Sequence, residues 1–422
     1  MPKQKHIPFA SIEFGTHSIK VLIGEFTKDE LTIIGNAETE SMKVVKGEIS
    51  NLSMVGEQLA QAIDQAQQSA GIDIQDAFIT LVVSGSYISQ SIVTADITIN
   101  SSDKLITQDD LDNVIHNARL KDAPQKMDIL NTSNRFYSLS DGRQVLDPIG
   151  LASHTLQTSL LLIQARKDRL RTPINLIKQC IGRDPNDISY VPMALGKACL
   201  SAEEVERDGQ ILIDLGAGVT SYALFTSAGC HTAGQITVGF EQAANDLSIA
   251  FGLPIQYARN LLQNFETLNL SAISANDGRS RLINVERGPG TLPRRIVAAS
   301  VEQVIQLRFA ELFQIIKERL QHDDAWQWAT GSVRLSGGLA SLPGITALAR
   351  DILEHDVVLA TPFNAHGPSK IISNPAFIAP IGALRCAKEA LDIYNTQTQD
   401  SSPKSTSAAS NIFVALRNFL NI

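Results

Sequence analysis

The chain has 422 residues and a mass of 45.7 kDa, a length that predicts roughly two to four lobes rather than one ordinary domain. Apolar residues make up 44% and charged residues 19%, so most of the chain can build cores and general disorder is excluded. The 44 acidic residues outnumber the 36 basic ones, and the net charge of −8 argues against nucleic acid as the main partner.

The first 83 residues predict a mixed sheet with a covering helix. The predicted strands, which are rich in β-branched and aromatic residues, are 7–13, 18–26, 31–37 and 77–83. Residues 53–70 predict a helix because Val55, Leu59 and Ile63 fall on one face. The resulting order β, β, β, α, β is typical of a mixed sheet.

Residues 84–166 have a different texture and predict an inserted α+β module. Glycine, serine and threonine alternate with apolar residues, one short helix is expected at 107–118, and DPIG at 147–150 predicts a turn. Residues 168–182 then predict a helix that returns to the first lobe.

The opening pattern recurs about 200 residues later. GQILIDLGAGVTSYALF, which starts at Gly209, mirrors PFASIEFGTHSIKVLIGEF, which starts at Pro8. Each copy has an apolar strand, an acidic residue near its end (Glu13 or Asp214), a turn with glycine and a second strand. An internal repeat of this size predicts two lobes of common ancestry that face one another.

The remainder predicts a helical second half and a tail. A loop at 276–293 precedes a predicted helix at 298–320, and 333–353 predicts a strand, a turn and a helix. Residues 395–410, NTQTQDSSPKSTSAAS, contain almost no large apolar side chain, so they predict a flexible linker.

Three glycine turns stand at predicted strand ends and are candidates for binding phosphates and a nucleoside. In the first turn, backbone amides and the Thr16 hydroxyl could surround phosphate oxygens, with Lys20 or Lys43 as the nearby cation. The candidate residues of this turn are Glu13, Gly15, Thr16 and Lys20.

In the second turn, small residues let backbone N–H groups approach another phosphate, and Asp214 could hold a metal through water. Its candidate residues are Asp214, Gly216, Ala217 and Gly218. In the third turn, Gly337, Gly338 and Leu339 follow a strand and are expected to open a helix whose start lies against a nucleobase or an α-phosphate. Each turn alone is explained by a plain hairpin; the three together, around a duplicated lobe, favour a nucleotide cleft.

This arrangement resembles the superfamily of actin, sugar kinases and 70-kDa chaperones, and within it the FtsA family of bacterial cell-division proteins. The similar segments extend over nearly the whole chain: EFGTHSIKVLIGEF, LVVSGSYISQS, DPIGLASHTLQTSLLLI, IDLGAGVTSYALF, NDLSIAFGLPI, SVEQVIQLRFAELF and LSGGLASLPGI. The resemblance implies an α/β, actin-like two-lobed ATPase fold with duplicated mixed-sheet domains, an inserted α+β subdomain of the 1C type and a C-terminal amphipathic helix.

The domain boundaries implied by this resemblance alternate between the two lobes. Subdomain 1A comprises 1–83 and 167–204, with subdomain 1C inserted at 84–166. Subdomain 2A comprises 205–240 and 325–394, with subdomain 2B at 241–324 between its parts. The linker is 395–410, and the tail is 411–422.

Several residues depart from the family pattern. Glu13 replaces the usual aspartate, and Ala217, Val219 and Ser221 replace glycine, threonine and aspartate in the second turn. At two positions where the family usually has a glutamate and a lysine on the ribose and adenine, this chain has Arg259 and Leu262. An arginine cannot accept hydrogen bonds from ribose hydroxyls. The resemblance therefore implies ATP binding, with Mg²⁺ held mainly through phosphates and water, and at most slow hydrolysis; no catalytic residue and no protein metal ligand are assigned.

Residues 411–422, NIFVALRNFLNI, predict an amphipathic helix that binds the membrane surface. Ser410 is a candidate N-cap, and Arg417 supplies one positive charge. The apolar residues with helical spacing are Ile412, Phe413, Leu416, Phe419 and Leu420. The alternative is a helix docked on the protein's own core, but the preceding linker makes docking less necessary. Attachment should depend on apolar insertion and on many copies acting together.

Other features of the sequence predict a reducing, cytosolic compartment. The four cysteines (Cys180, Cys199, Cys230 and Cys386) form no CxxC pair, which argues against a zinc site and a disulfide framework. The start has no apolar core of signal-peptide length, and no run of about 18 apolar residues occurs, so no membrane span is expected.

The resemblance implies an adaptor that links filaments of FtsZ to the membrane. Arg294, Arg295 and Arg308 lie in the part that matches subdomain 2B, where family members bind the acidic, apolar C-terminal peptide of FtsZ. The chain is expected to form filaments with itself, to meet other division proteins and to lie on the cytoplasmic side of the inner membrane at the division site.

Three competing functions share this fold. A sugar or acyl kinase would need a base carboxylate in the cleft and a substrate pocket in the insert, and 84–164 offers no convincing pair. A chaperone would need a sizeable β-rich domain after the core. An actin-like scaffold of type IV pilus assembly is the nearest alternative, and the amphipathic tail distinguishes the two.

Overall fold

The computed structural model describes residues 7–120, 126–263 and 282–400. The first part of lobe 1 contains six strands, one helix and a 3₁₀ turn at Ile74–Asp76. They are β1 (Phe9–Phe14), β2 (Ser18–Thr27), β3 (Glu30–Glu40), β4 (Val44–Val45), β5 (Glu48–Ile49), α1 (Leu52–Ala70) and β6 (Phe78–Val83).

The α1 helix is set by its sequence at both ends. The Asn51 side chain accepts a hydrogen bond from the Met54 amide and caps the N-terminus, and Gly71 ends the helix with a left-handed φ of 70°. Between these caps, the apolar face that the periodicity predicts is buried against the sheet.

The insert is a separate small domain with its own core. Its elements are β7 (Ile88–Thr98), α2 (Gln108–Leu120), β8 (Met127–Leu139), β9 (Gln144–Val145) and β10 (Thr155–Arg166). The strands form an antiparallel sheet in the order β7-β10-β8-β9, and α2 packs on it through Leu111 and Val114. The predicted inserted α+β module is confirmed.

Lobe 1 then resumes and lobe 2 begins. The returning elements are α3 (Lys167–Ile181), β11 (Asp187–Tyr190), α4 (Val191–Cys199) and α5 (Ala202–Arg207). The elements of lobe 2 are β12 (Gln210–Leu215), β13 (Thr220–Thr226), β14 (Gly229–Ile236), α6 (Phe240–Phe251), α7 (Ile255–Gln263), β15 (Leu282–Val285), β16 (Arg294–Val297), α8 (Ala298–His322), β17 (Val333–Ser336), α9 (Ile345–Leu353) and β18 (Val357–Leu359). Short 3₁₀ turns lie at Trp326–Trp328 and Gly338–Ser341.

The C-terminal part of the described chain contains β19 (Ala365–His366), α10 (Ser369–Ile372), a 3₁₀ turn at Pro375–Phe377, and α11 (Ile378–Asp400). None of the described helices combines the length and the apolar character that crossing a bilayer requires.

The two lobes have the same sheet topology, as the internal repeat predicts. In lobe 1 the strand order is β3-β2-β1-β6-β11, and in lobe 2 it is β14-β13-β12-β17-β18. In each lobe the first strand pairs antiparallel with the second and parallel with the fourth. The acidic residues also correspond, since Glu13 faces Lys20 across one hairpin and Asp214 faces Ser221 across the other.

The end of the chain corrects one boundary. Residues 325–394 are predicted to complete lobe 2, but β19 pairs with β3 of lobe 1 and α11 packs on β1, β2 and β6. The reason is apolar burial: Ile381 and Leu384 of α11 share a core with Phe9, Leu22 and Phe78. The chain thus leaves lobe 2 after β18 and returns to lobe 1.

A second correction concerns the linker. The composition of 395–410 predicts flexibility from residue 395 onwards, but α11 continues to Asp400. Glutamine is a good helix former, so these polar residues can extend a helix, and the Thr396 hydroxyl finds an acceptor in the Asp392 carbonyl one turn earlier at 2.9 Å. Residues 401–410 and the tail 411–422 lie outside the described residues.

Candidate functional site

The three predicted turns meet at one cavity of about 450 Å³ between the lobes. The parallel strands β12 and β17 end at the same edge of the lobe 2 sheet, and the end of β1 in lobe 1 lines the same cavity. All eleven candidate residues line this cavity: Glu13, Gly15, Thr16, Lys20, Asp214, Gly216, Ala217, Gly218, Gly337, Gly338 and Leu339. Its volume is in the range of small-molecule sites.

The first turn, between β1 and β2, is closed by a hydrogen bond from the Gly15 amide to the Ser18 carbonyl at 3.0 Å. The Lys20 amino group donates to the Glu13 carboxylate at 2.9 Å, and both side chains are largely buried. Burial alone would lower the pKa of the Lys20 ammonium, but attraction by Glu13, and by Asp214 and Glu38 further away, outweighs burial and raises that pKa. Lys20 is therefore a cation inside the cavity. Lys43, the other candidate cation, is exposed and does not line it.

The second turn repeats this geometry in lobe 2. The Gly216 amide donates to the Val219 carbonyl at 3.1 Å, and Asp214 stands where Glu13 stands in lobe 1. Burial, with repulsion from Glu13, raises the pKa of Asp214 to about 6, although the Ser336 hydroxyl donates to its Oδ1 at 2.8 Å. Asp214 is therefore an acidic group poised to gain from a cation in the cavity.

Glycines allow the turns to approach closely. A Cβ on Gly218 would lie 2.5 Å from the Thr16 hydroxyl oxygen, so the turns of the two lobes nearly touch. Gly337 has a φ of 86°, and a Cβ there would lie 2.4 Å from the Leu215 carbonyl oxygen. A Cβ on Gly338, in contrast, would meet nothing within 4 Å. Gly338 is thus the place where the backbone itself borders the open cavity.

The third turn differs from its prediction. The glycines follow β17 as expected, but the element that they open is a short 3₁₀ helix at Gly338–Ser341 and not an α-helix. The helix α9 begins only at Ile345, because Gly344 before it adopts a left-handed φ of 83° that interrupts the right-handed helical backbone.

The sequence did not identify several residues that line the cavity. They include Ser18, Glu38, Gly47, Ser84, Phe240, Leu342 and Ala376. Gly47 and Ser84 are 37 positions apart, and Ala376 reaches the cavity only because the chain returns to lobe 1. No local pattern predicts such contacts. The glycine at position 47 could have indicated the left-handed φ of 79° found there, but not its contact with the cavity.

The two departures in α7 have different outcomes. Leu262 is buried and lines the cavity, so an apolar side chain stands where the family usually has a polar one. Arg259 does not line the cavity: its guanidinium donates to Glu241 at 2.6 Å, at the start of α6. Ser221 is fully buried on β13 opposite Asp214 and also stays outside the cavity lining.

The residues predicted to bind a partner lie in lobe 2, away from the cavity. Arg294 and Arg295 are exposed on β16. Arg308 on α8 is partly buried. Its guanidinium donates to Asp246 on α6 at 3.0 Å and to Glu311 at 2.6 Å, so these N–H groups already have partners within the protein. The residues predicted to bind membrane, Ile412 to Leu420, lie outside the described residues.

No group of three or more His, Cys, Asp or Glu side chains suited to hold a metal by themselves occurs in residues 7–120, 126–263 and 282–400. In the described lining of the cavity, the acidic side chains are Glu13 and Asp214, from the two hairpins, and Glu38 from β3. This donor set fits a hydrated cation carried by phosphates, since Mg²⁺ keeps several waters and uses few carboxylates.

Two duplicated mixed sheets, a cleft between them and a domain inserted in the first lobe define the actin-like ATPase fold. Solved structures agree. A PilM–PilN type IV pilus biogenesis complex superposes with a TM-score of 0.64 at 13% identity, covering 90% of this chain and 98% of that one. MreB5 of Spiroplasma citri bound to AMPPNP superposes with a TM-score of 0.52 at 12% identity, covering 94% and 100%. At these identities the likeness shows the fold alone.

Sequence comparison defines the family within that class. The profile of "Cell division protein FtsA" matches residues 211–382, and the profile of the "SHS2 domain inserted in FTSA" matches 85–164, together more than half of the chain. The cell division protein FtsA of Pseudomonas aeruginosa is 25% identical, covering 88% of this chain and 87% of its own length; that of Bacillus subtilis is 25% identical, covering 90% and 83%.

The chain belongs to the FtsA family of cell division proteins. The cell-division hypothesis is therefore favoured over the pilus-scaffold alternative, which has only a structural likeness in its support.

Proposed function

We propose that this protein is an adaptor of the division septum that binds ATP in its cleft, assembles with itself and links FtsZ filaments to the cytoplasmic membrane. One observation carries the proposal. Eleven residues chosen from three separate turns line a single interlobe cavity, in a chain that belongs to the FtsA family. A cleft shared by both lobes can couple what it binds to how the lobes are arranged.

Different parts of the nucleotide are assigned to different cavity residues, which come from both lobes. The Gly15 and Gly216 amides close the two turns, so the backbone amides that suit the phosphates are those of Thr16, Ala217 and Gly218, which follow in the cavity lining. Lys20 supplies positive charge, and Asp214 would hold the water of a phosphate-bound Mg²⁺. The open backbone at Gly338 and the apolar Leu262 suit the nucleoside end.

Hydrolysis is slow or absent in this proposal. Glu13 is held by Lys20, and Asp214 is held by Ser336, so each carboxylate already has a partner in the cavity. Ser221 replaces the second carboxylate of the hairpin with a buried hydroxyl. A general base must reach the attacking water in its ionised form. ATP therefore serves mainly as a clamp between the lobes.

The surface of lobe 2 around β16 is the proposed site for the FtsZ C-terminal peptide. Arg294 and Arg295 are exposed there, and large apolar side chains on neighbouring elements are exposed too, at 74% for Ile249 and 63% for Leu307. Arginine with apolar neighbours suits an acidic, apolar peptide. Arg308, bound to Asp246 and Glu311, positions α8 against α6.

The membrane end of the link is assigned to 411–422. Ile412, Phe413, Leu416, Phe419 and Leu420 would insert on the cytoplasmic face, with Arg417 near the headgroups. One short segment gives modest affinity, and a filament of many copies multiplies it. This places the protein peripherally at the division site, where other division proteins also meet it.

Binding measurements with two ligands test this proposal. The full chain should bind Mg²⁺-ATP and a synthetic FtsZ C-terminal peptide in titration calorimetry. The double substitution Arg294→Glu and Arg295→Glu should weaken peptide binding by about tenfold or more through charge reversal, while ATP binding is unchanged. Arg171→Glu on the exposed side of α3 is the matched control. Equal peptide affinity in all three proteins would refute the assigned surface.

A further inference from the structure

A short stretch of chain connects the nucleotide cavity to the insert. Ser84 lines the cavity, and β7, the first strand of the insert, begins four residues later. A Cβ on Gly47, another cavity residue, would lie 2.0 Å from the Ser84 carbonyl oxygen, so this stretch is packed directly behind the cavity wall. A displacement of the cavity wall at Gly47 would therefore displace the residues that lead into β7.

A glutamine of lobe 2 holds this stretch. The Gln235 side chain accepts a hydrogen bond from the Gly85 amide at 3.1 Å and donates to the carbonyls of Gly85 and Ile88, the latter at 2.8 Å. Gln235 lies on β14 in register with Ser221, which is in register with Asp214 at the cavity. One row across the lobe 2 sheet thus runs from the cavity to the base of the insert.

A second glutamine makes the reciprocal contact from the insert. Gln90 on β7 accepts from the Ala233 amide at 3.1 Å and donates to Asp323, just after α8, at 3.1 Å. The Thr232 hydroxyl lies between them, 3.2 Å from Gln90 and 2.9 Å from Asp323. The contact joins the insert to two elements of lobe 2.

Side chains of the insert also cover the edge of the lobe 2 sheet. β14 is the edge strand there, and its backbone polar groups need partners. The Cys230 amide donates to the Ser133 hydroxyl at 2.6 Å, and the buried Arg135 donates to the carbonyls of His231 and Asp323, each at 2.9 Å. Side chains of the insert thus bond to β14 at separate points, where a neighbouring strand would form a continuous ladder of backbone hydrogen bonds.

The contact is also loosely filled. A cavity of about 200 Å³ lies beside the two glutamines, between Tyr190 and Arg319, and another of about 270 Å³ lies beside Arg135 and Asp323. Besides its polar contacts, the interface buries Cys230 and Ala233 of β14 in one hydrophobic core with residues of the insert. Opening it costs this burial as well, but the separate core of the insert stays intact.

We propose that these contacts form a latch that couples the insert to nucleotide-dependent closure of the lobes, a proposal that rests on nucleotide binding in the cleft. The insert is joined covalently to lobe 1 and is held to lobe 2 by Gln90, Gln235 and Arg135. In this structure the latch is formed while Thr16 and Gly218 of the two lobes nearly touch. Nucleotide, which favours that closed arrangement, strengthens the latch, and opening the latch frees the insert from lobe 2.

Linkage makes the proposal measurable. Since coupling is reciprocal, breaking the latch must weaken nucleotide binding although neither glutamine lines the cavity. Gln90→Leu and Gln235→Leu keep the side-chain volume and remove the amide. Each should raise the Kd for Mg²⁺-ATP about fivefold or more. Gln65→Leu, on the exposed face of α1, is the matched control and should bind as the wild type does.

Hydrogen exchange of the full chain gives a readout that fold stability alone does not move. In the wild type, Mg²⁺-ATP should slow exchange in Ile88–Thr98 and Gly229–Ile236. In either latch variant that nucleotide-dependent slowing should be lost there, while residues of the cavity turns are still protected. Wild-type affinity and wild-type protection in both variants would overturn the latch. If the wild type itself binds no ATP, the cleft assignment fails with it, so the two failures are distinguishable.

Discussion

Two carboxylates at equivalent hairpin positions face the cleft, and their surroundings differ. Glu13 is neutralised by Lys20 at 2.9 Å. Among the described residues, Asp214 has only the Ser336 hydroxyl as a direct partner, and its withdrawal from water beside another acidic group raises its pKa to about 6. The nucleotide-free protein therefore holds an ionised Asp214 at a cost in stability that a bound cation would offset.

Asp214→Asn should stabilise the nucleotide-free protein by about 1–3 kcal/mol at pH 8. The folded pKa is raised above the ordinary value, so the carboxyl destabilises the fold above pH 6 and stops doing so once it is protonated. The advantage of the variant should therefore shrink as pH falls from 6 to 4. Urea unfolding between pH 4 and 8 measures it, with exposed Asp64→Asn as control. A constant difference across this range would show that Asp214 is not desolvated. Binding of Mg²⁺-ATP should weaken in the same variant.

The neighbouring glycines of the third turn should respond oppositely to substitution. Gly338→Leu should fold normally and lose about tenfold or more in ATP affinity, because its side chain enters the open cavity. Gly337→Ala should instead destabilise the fold, since it combines a left-handed φ with a Cβ 2.4 Å from a carbonyl oxygen. Thermal unfolding and ATP titration of both variants separate the effects. Normal affinity in Gly338→Leu would exclude this turn from the nucleotide site.

At the residue scale, the parts of the site that were predicted are those with a recognisable pattern within one short segment. A strand followed by an acidic residue and a glycine turn is visible in a single segment, so all three turns were found. Ser84, Gly47 and Ala376 reach the cavity through contacts between distant segments, and no spacing reports those. The partner of Arg308 was hidden in the same way, because Asp246 lies 62 positions away.

At the element scale, α11 determines how the chain ends. Its apolar face is buried in lobe 1, where the fully buried Leu384 lies beside Gly24 and shares a core with Leu31. Periodicity predicts which face of a helix is buried but not against which sheet it lies. Composition likewise failed at 395–400, because polar helix formers extend a helix that is already nucleated. Strand, helix and insert positions, in contrast, were predicted within a few residues.

Leu384→Ala should lower the free energy of unfolding by about 2–5 kcal/mol, because it leaves a cavity in the lobe 1 core. Amide exchange in β1 and β2 should quicken with it. Ile393→Ala, on the same helix but 42% exposed, should cost much less and serves as the matched control. Faster exchange in β12 and β13, with none in β1 and β2, would show that α11 stabilises lobe 2 instead.

At the scale of the whole molecule, the duplicated sheets build a cleft, the insert spans from lobe 1 to the edge of lobe 2, and α11 directs the chain out of lobe 1 towards the tail. The internal repeat predicts the two lobes and the cleft between them. It does not predict that the insert contacts lobe 2, because those hydrogen bonds join residues about 90 to 230 positions apart. The proposed link from FtsZ to membrane needs the lobe 2 surface and the tail to act in one molecule.

Liposome flotation in the presence of Mg²⁺-ATP and FtsZ tests that link most directly. The full chain and a chain ending at Ser410 are compared, with vesicles that contain anionic lipid. The full chain should float and carry FtsZ with it, whereas the shortened chain should bind FtsZ and remain at the bottom. If both chains stay at the bottom, the tail does not anchor the protein and the link to the membrane is contradicted.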